Sequence, residues 1–436
     1  MSVSSLLRGL AKVSVFGFGG GSALIPVVER ELVRNRGLVK QPVFDEHIVV
    51  SNITPGALPV KLGMAAGLHL FGARVSFLAA LAVTLPGTAV MITALAFLNS
   101  LPADALVYMK LASVGILAFI MMILFSYIRS VQRNAEKSGV GRVAFVSAGL
   151  AFLLTAGKAL RGIVRMLFPA SERWLAEKAW FDWSSIHVLL LAFAVILATT
   201  NWRQKTDGSA TAFDARRLAG QLALFLGVPL AFCVAAVLLS LAEPQFFGTS
   251  VLSVVTSFGG GEAYIAVADG AFTSGDSAYI AKELLYTQLW PVSSALPGPV
   301  LIKVLSGVGY LLGASRGGVG GGVFLATTCM LVGIGGTGAV FSMVYAVYKK
   351  FSGMAVFTRL KLYILPVIGG LLLSTVASMV QSMLQTCVSV GVPSGIGFLI
   401  IAGLAAVGVL LSKKCPDAVC VLVLGGLSVT VLCLMG

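Results

Sequence analysis

The chain has 436 residues, 58% of them hydrophobic and 11% charged, with a formal net charge of +14. A soluble chain of ordinary composition carries about a quarter charged residues, so a sizeable soluble domain is excluded. The positive residues fall in short loops between apolar runs, where a cytoplasmic excess of Lys and Arg is expected, and nucleic acid is not an expected partner.

The first apolar stretch contains Arg8 and Lys12, is glycine-rich and lacks a cleavage site, so it is not read as a removable signal peptide. It leads into Phe18-Gly19-Gly20-Gly21-Ser22-Ala23-Leu24-Ile25, then a basic segment with Arg30, Arg34, Arg36 and Lys40. Pro55-Gly56-Ala57-Leu58-Pro59-Val60-Lys61 follows. Apolar segments near 75–99, 105–128, 142–157 and 185–200 complete this half, with basic loops at 129–142 and 203–217. A further apolar run, 218–241, joins it to a second half.

There the motifs return in order. Phe258-Gly259-Gly260-Gly261-Glu262-Ala263-Tyr264-Ile265 matches the first motif, and Pro297-Gly298-Pro299-Val300-Leu301-Ile302-Lys303 matches the second. Gly67 and Gly309 keep the spacing. Four more apolar segments follow, near 319–345, 362–383, 396–411 and 418–434. Runs of about 20 apolar residues are membrane-spanning helices rather than barrel strands. The expected fold is an all-α polytopic membrane protein of two repeats, with about 9–10 crossings plus broken or re-entrant segments. The expected division is 1–205, a linking helix in 206–245, and 246–436.

An odd linking helix inverts the second repeat relative to the first. Loop charge agrees: Arg8 to Arg74 is basic, whereas Glu243 to Asp276 holds no Lys or Arg. Residues 158–178 object, since Lys158, Arg161, Arg165, Arg173 and Lys178 fall where the scheme expects the periplasm. Either that segment is an interfacial amphipathic helix or the count of crossings is off by two there.

Three consecutive glycines serve either close helix packing or an unwound stretch whose N–H groups face a buried anion. Pro-Gly suggests a helix starting at Pro55 or Pro297 inside the membrane, with its positive end aimed inward. Lys61 and Lys303 sit just beyond, at matched positions. They either snorkel to the interface or share one anion site. Ser51, Asn52 and Thr54, and Ser293 and Ser294, precede the two turns and either donate to the same anion or cap helices. Ser22 and Glu262 are equivalent, and Glu262 suits proton coupling or a structural pair with a Lys. The three histidines show no ligand spacing, and the six cysteines show no CxxC spacing. No metal or cofactor is expected.

FGGGSALIPVVERELV, FDEHIVVSNITPGALPVKLGMAAGLHLFG and VTLPGTAVM together resemble the chromate ion transporter family. The resemblance covers residues 10–95 well and 250–315 more weakly. It implies a duplicated, long-chain form with two oppositely oriented halves that moves chromate or sulfate-like oxyanions, and it carries Gly19, Gly20, Gly21, Pro55 and Gly56 over as functional positions. Lys61 stands where the family pattern more often has Asn or Gln, and Leu85-Pro86-Gly87 has no evident counterpart in the second half.

The expected function is alternating-access transport of a small inorganic oxyanion across the cell inner membrane. The expected site comprises Lys61, Lys303, Gly19, Gly20, Gly21, Ser22, Thr54, Pro55, Gly56, Gly259, Gly260, Gly261, Glu262, Ser294, Pro297 and Gly298. Expected partners are the oxyanion and membrane lipid, with a homodimer left open. The rival reading is a membrane enzyme acting on a phosphorylated lipid, and a third is a non-transporting scaffold.

Overall fold

A computed structural model describes residues 2–16, 25–99, 103–168, 183, 185–199, 215–257, 264–273, 278–350, 355–412, 415 and 417–435. The described residues form helices and no strands. Both glycine-triplet motifs, with Gly19, Gly20, Gly21, Ser22, Gly259, Gly260, Gly261 and Glu262, lie outside them.

In chain order the first repeat holds α1 (Val3–Phe16) and α2 (Ile25–Glu29), which widens into a π-helix over Arg30–Asn35. Next come α3 (Gln41–Ile53), α4 (Leu58–Phe71), α5 (Ala73–Asn99) and α6 (Ala103–Lys137). It ends with α7 (Gly141–Thr155), α8 (Gly157–Leu167) and α9 (Ser185–Thr199). The linking helix is α10 (Ala215–Leu238). The second repeat holds α11 (Pro244–Val255), α12 (Tyr264–Phe272), α13 (Lys282–Leu284, then π over Leu285–Leu289) and α14 (Trp290–Ala295). It continues with α15 (Val300–Lys350), α16 (Ala355–Ser389), α17 (Ser394–Leu411) and α18 (Asp417–Met435).

Among the described residues six helices are long and apolar enough to cross a membrane, and the pair α7–α8, bent by 68°, reaches that length only if its two helices are taken as one span. Within α15, Gly317 and Gly318 leave helical geometry, and Gly318 takes a φ of +60°. That break divides a helix too long for one crossing into two antiparallel limbs. Gly313 and Gly321 pack backbone to backbone across the bend, where a side chain would collide.

Two expectations of the sequence are corrected at helix ends. Arg129, Arg133 and Lys137 are not in a loop but on the last turns of α6, and Arg216 opens α10. Long basic side chains favour helix and reach water from it, so loop boundaries read from apolarity alone fall short. Of the disputed segment 158–178, the described part is α8, an amphipathic helix turned off α7 with Lys158 and Arg165 exposed. The amphipathic face of this described part, residues 158–167, fits the interfacial alternative.

The linking helix is wedged between the repeats. Phe225 meets Phe77 of α5 edge-on at 5.4 Å, and Gly335 and Gly338 of α15 allow α10 to press against it. The second limb of α15 also fixes the orientation of the two halves. Near its start, Arg316 binds Glu243 at the head of α11. Near its end, Tyr345 lies 6.2 Å from His47 of α3, which in turn lies 5.8 Å from His69 at the end of α4. At 1.5 Å per residue, Val319 and Tyr345 stand about 39 Å apart, the thickness of a bilayer with its headgroups. The first repeat's helical hairpin therefore opens at one membrane face and the second repeat's at the other, which is the inverted arrangement.

Candidate functional site

Each repeat breaks inside the protein at its Pro-Gly. Thr54 ends α3 in extended geometry (φ −102°, ψ 146°), and Leu296 ends α14 almost identically (φ −92°, ψ 149°). A residue before proline is pushed to that region by clash with the proline ring. Gly56 and Gly298 then take φ of +97° and +96°, which with the preceding proline is the pattern of a type II turn. The helices begin only after the turn, at Leu58 and Val300. The expectation that Pro55 and Pro297 start them is corrected, since proline supplies the first corner of the turn instead.

Lys61 and Lys303 are the fourth residues of α4 and α15, and both are buried. The Nζ of Lys61 donates to the carbonyl of Thr54 at 2.5 Å. The Nζ of Lys303 donates to the carbonyl of Leu296, the equivalent residue, and to that of Ser293 at 2.5 Å. Neither is at a membrane surface, so snorkelling does not describe them. Each ammonium folds back across the turn to the negative, carbonyl-bearing end of the half-helix that precedes it. One lysine thus stabilises the end of one half-helix while standing at the positive start of the next. Thr54 O accounts for one of the three protons of Lys61, and two carbonyls for two of those of Lys303.

The turns are embedded in the opposite repeat. Gly56 N donates to Ser257 O at 2.7 Å, and a Cβ on Gly56 would stand 2.6 Å from Thr337 Oγ1. Reciprocally, Gly298 packs on Ser14 and Gly87, with a Cβ on Gly87 meeting the Pro297 carbonyl at 2.6 Å. The Gly87 N–H donates to Ser14 Oγ at 3.3 Å. Each Pro-Gly therefore sits between the end of the other repeat's first helix and its long spanning limb. This corrects the reading that Leu85-Pro86-Gly87 has no counterpart: Gly87-Thr88 in α5 and Gly336-Thr337 in α15 hold equivalent places. Extra residues around the Gly317-Gly318 bend displace the register, which hid the match.

Buried hydroxyls lie at or near each of the two turns. Ser51, Thr88, Ser257 and Thr337 are buried, and their oxygens have no hydrogen-bond partner among the described residues. A buried polar group without a partner is costly, and such hydroxyls beside the turns are free to donate to a ligand. Thr54 Oγ1 is instead spent on the Val50 and Ser51 carbonyls, and Ser293 Oγ on the Trp290 carbonyl. Ser294 belongs to α14, the half-helix leading into the second turn. The first turn of α4 carries no side-chain cap, so its leading N–H groups are not satisfied by one. Sequence reasoning missed Thr88, Ser257 and Thr337, and a search for Gly-Thr pairs at relaxed spacing would have found two of them. It also gave the histidines no grouping, whereas His47 and His69 meet at the open end of the first hairpin.

Comparison with known proteins places this architecture. The family model described as "Chromate transporter" matches twice, over residues 4–243 and 244–430. The chain belongs to the chromate transporter family. It is 27% identical over 118 residues to "Uncharacterized transporter YwrB" of Bacillus subtilis (strain 168), across 27% of this chain and 60% of that protein. It is 30% identical over 91 residues to "Probable chromate transport protein" of Synechococcus elongatus, across 21% of this chain and 23% of that protein. The chain thus spans less than two thirds of the length of either relative. No solved structure matches. Membership and the apolar helices make the protein a multi-pass membrane protein, built as two copies of one family unit.

Proposed function

We propose that the protein carries a small inorganic oxyanion, chromate, sulfate or a similar tetrahedral anion, across the cell inner membrane by alternating access between its inverted repeats. The family and the printed name of the Synechococcus elongatus relative support the ligand class. The observation that carries the reading is a single buried structure made twice. Each copy has a Pro-Gly turn, a lysine bound to the carbonyl seven residues before it, and partnerless hydroxyls from the opposite repeat.

A dianion needs charge compensation and several donors in a low-dielectric setting. Lys61 and Lys303 supply the charge, the first turns of α4 and α15 supply N–H groups, and Thr88, Ser257 and Thr337 supply hydroxyls. The glycine triplets Gly19–Gly21 and Gly259–Gly261, with Ser22 and Glu262, are included in the proposal on the repeated sequence motif alone, since they lie outside the described residues. The units proposed to move against each other are 1–205 and 246–436, joined through the linking helix.

The test is flux of labelled chromate, sulfate and phosphate into proteoliposomes holding the purified chain. Saturable flux of at least one, competed by the others, is the expected result. No flux and no binding of any of the three overturns the reading.

A further inference from the structure

A second polar feature lies away from the Pro-Gly turns, at the face to which the second repeat's hairpins open. A cleft of about 440 Å³ is lined by Lys110 of α6, Lys282 and Glu283 of α13, and the last turns of α16. Lys110 binds Glu283 at 2.7 Å across the repeat boundary, and Lys282 binds Asp269 of α12 at 3.1 Å. Asp269 is further held by Tyr286 Oη at 2.9 Å and Thr273 Oγ1 at 2.5 Å.

The wall supplied by α16 is unusual for a spanning helix. Ser374, Ser378, Ser382, Gln385 and Ser389 recur every three or four residues and so share one face. Their exposure is graded: Ser389 and Gln385 are exposed, Ser382 is half-buried, and Ser378 and Ser374 are buried. A continuous polar stripe on an apolar helix avoids lipid and faces a neighbouring helix, water or a solute pathway. This one begins in the cleft and runs inward past Tyr286, whose hydroxyl Ser378 meets. α16 also packs against α12 of the second repeat and α3 of the first, the half-helix that leads into the Pro55-Gly56 turn.

We propose that this cleft is a second oxyanion site, where the anion is taken up from the compartment facing the second repeat, and that the hydroxyl and amide face of α16 leads from it toward the Pro-Gly turns. The inference rests on the oxyanion-transport reading. The donor set fits the ligand: two ammonium groups, serine hydroxyls and glutamine amides offer many protons to tetrahedral oxygens. Lys110 and Glu283 are both substantially exposed, at 45% and 60% of their side chains. Such a pair contributes little to stability, so an oxyanion exchanges for the Glu283 carboxylate at small cost. Lys282 is more tightly engaged, because its partner Asp269 is nearly buried and held by two hydroxyls. Lys110 is therefore the cation that receives the anion first.

The test measures the half-saturation concentration for labelled sulfate in proteoliposomes, loading from each membrane side in turn. Lys110→Gln is expected to raise it about fivefold more from the cleft side than from the other, as loss of one charge-assisted hydrogen bond does. Glu283→Gln is the decisive partner, because it frees Lys110 and removes a repelling carboxylate, so half-saturation from the cleft side should fall. A purely structural ion pair predicts that both substitutions act in the same direction, and that result overturns the inference. So does an equal change from both sides or none from either while wild-type flux is normal. Absence of wild-type flux for sulfate, chromate and phosphate alike removes the transport reading, and this inference with it.

Discussion

In the first repeat, the half-helix leading into the Pro-Gly turn is a regular α-helix over Gln41–Ile53. In the second it is composite, with a π-helical stretch over Leu285–Leu289 between two short α segments. The residue before proline is Thr54 in one and Leu296 in the other, and the second position of the following helix is Pro59 or Leu301. Through these differences three things stay fixed: the positive φ of the turn glycine, the lysine four residues into the helix, and the reach of that lysine to the carbonyl before the proline. What is common to both therefore defines the device, a broken helix with its two ends tied by one ammonium. What differs is the strength of the tie, since Lys303 holds two carbonyls and Lys61 one.

The largest expected effects break that common device. Lys61→Met and Lys303→Met are each expected to abolish oxyanion flux and most binding, with the double variant little worse than either, as two members of the one proposed site would act. Their effects on stability should differ. Stranding a buried carbonyl costs about 1–3 kcal/mol, partly offset by no longer burying a charge. Lys303→Met strands two carbonyls, so purified Lys303→Met should melt below Lys61→Met. Equal melting temperatures would show the Ser293 carbonyl to be irrelevant.

The turn glycines sharpen the comparison at a smaller scale. An alanine at either position meets the same strain, because a φ near +97° is poorly tolerated by L side chains, at about 1–2 kcal/mol. The surroundings are not the same. A Cβ on Gly56 would press Thr337 at 2.6–3.0 Å, whereas one on Gly298 has Ser14 Oγ at 3.3 Å as its nearest neighbour. Gly56→Ala should therefore lose more activity and stability than Gly298→Ala, and Thr337→Ser should not rescue it, since the colliding Oγ1 remains. Thermal unfolding and sulfate flux of the three variants decide this.

Membrane sidedness tests the inversion itself. On the charge pattern residues 30–45 and 349–361 are expected in the cytoplasm and 269–277 outside. Single-cysteine labelling should find the first two reactive only from the cytoplasmic side and the third only from outside. Labelling of 269–277 from the cytoplasm alone would end the inverted assignment.

Much of this was legible in the sequence for a physical reason. Apolar runs of spanning length can only be helices in lipid, and a duplicated motif with a lysine at matched spacing marks the break in each repeat. The partners of those lysines were not legible. That Lys61 would bind the Thr54 carbonyl depends on the chain reversing at Pro55-Gly56, and Pro-Gly reads as a helix start as readily as a turn. Thr88 and Thr337 escaped because contacts between inverted repeats join residues far apart in sequence, and the Gly317-Gly318 bend shifts the register between them. The histidine pair escaped for the same reason: His47 and His69 lie on different limbs of one hairpin and meet only once it closes.

The smallest expected effect contrasts the mouths of the two repeats. Each is fastened by an ion pair, Arg36 with Glu31 at 2.7 Å in the first and Lys282 with Asp269 at 3.1 Å in the second. Arg36 also donates to the Ser5 carbonyl at 3.0 Å, tying the start of α1 to the end of α2. At Glu31, which lies outside the spanning helices, burial works to raise the carboxyl pKa. Hydrogen bonds from Arg36 and Asn35 and the nearby charges of Arg36 and Lys12 outweigh it and hold it below its ordinary 4.5. A carboxylate whose folded pKa is depressed gives stability that is complete above its unfolded pKa and is lost as pH falls through the folded one. Arg36→Gln should therefore lower the melting temperature of the purified protein slightly at pH 7, by the equivalent of about 1 kcal/mol or less. It should also flatten the decline of stability below pH 4.5. A wild-type and variant pair with parallel pH profiles would mean that Arg36 holds the mouth through Ser5 alone, leaving the two repeats fastened by different chemistry.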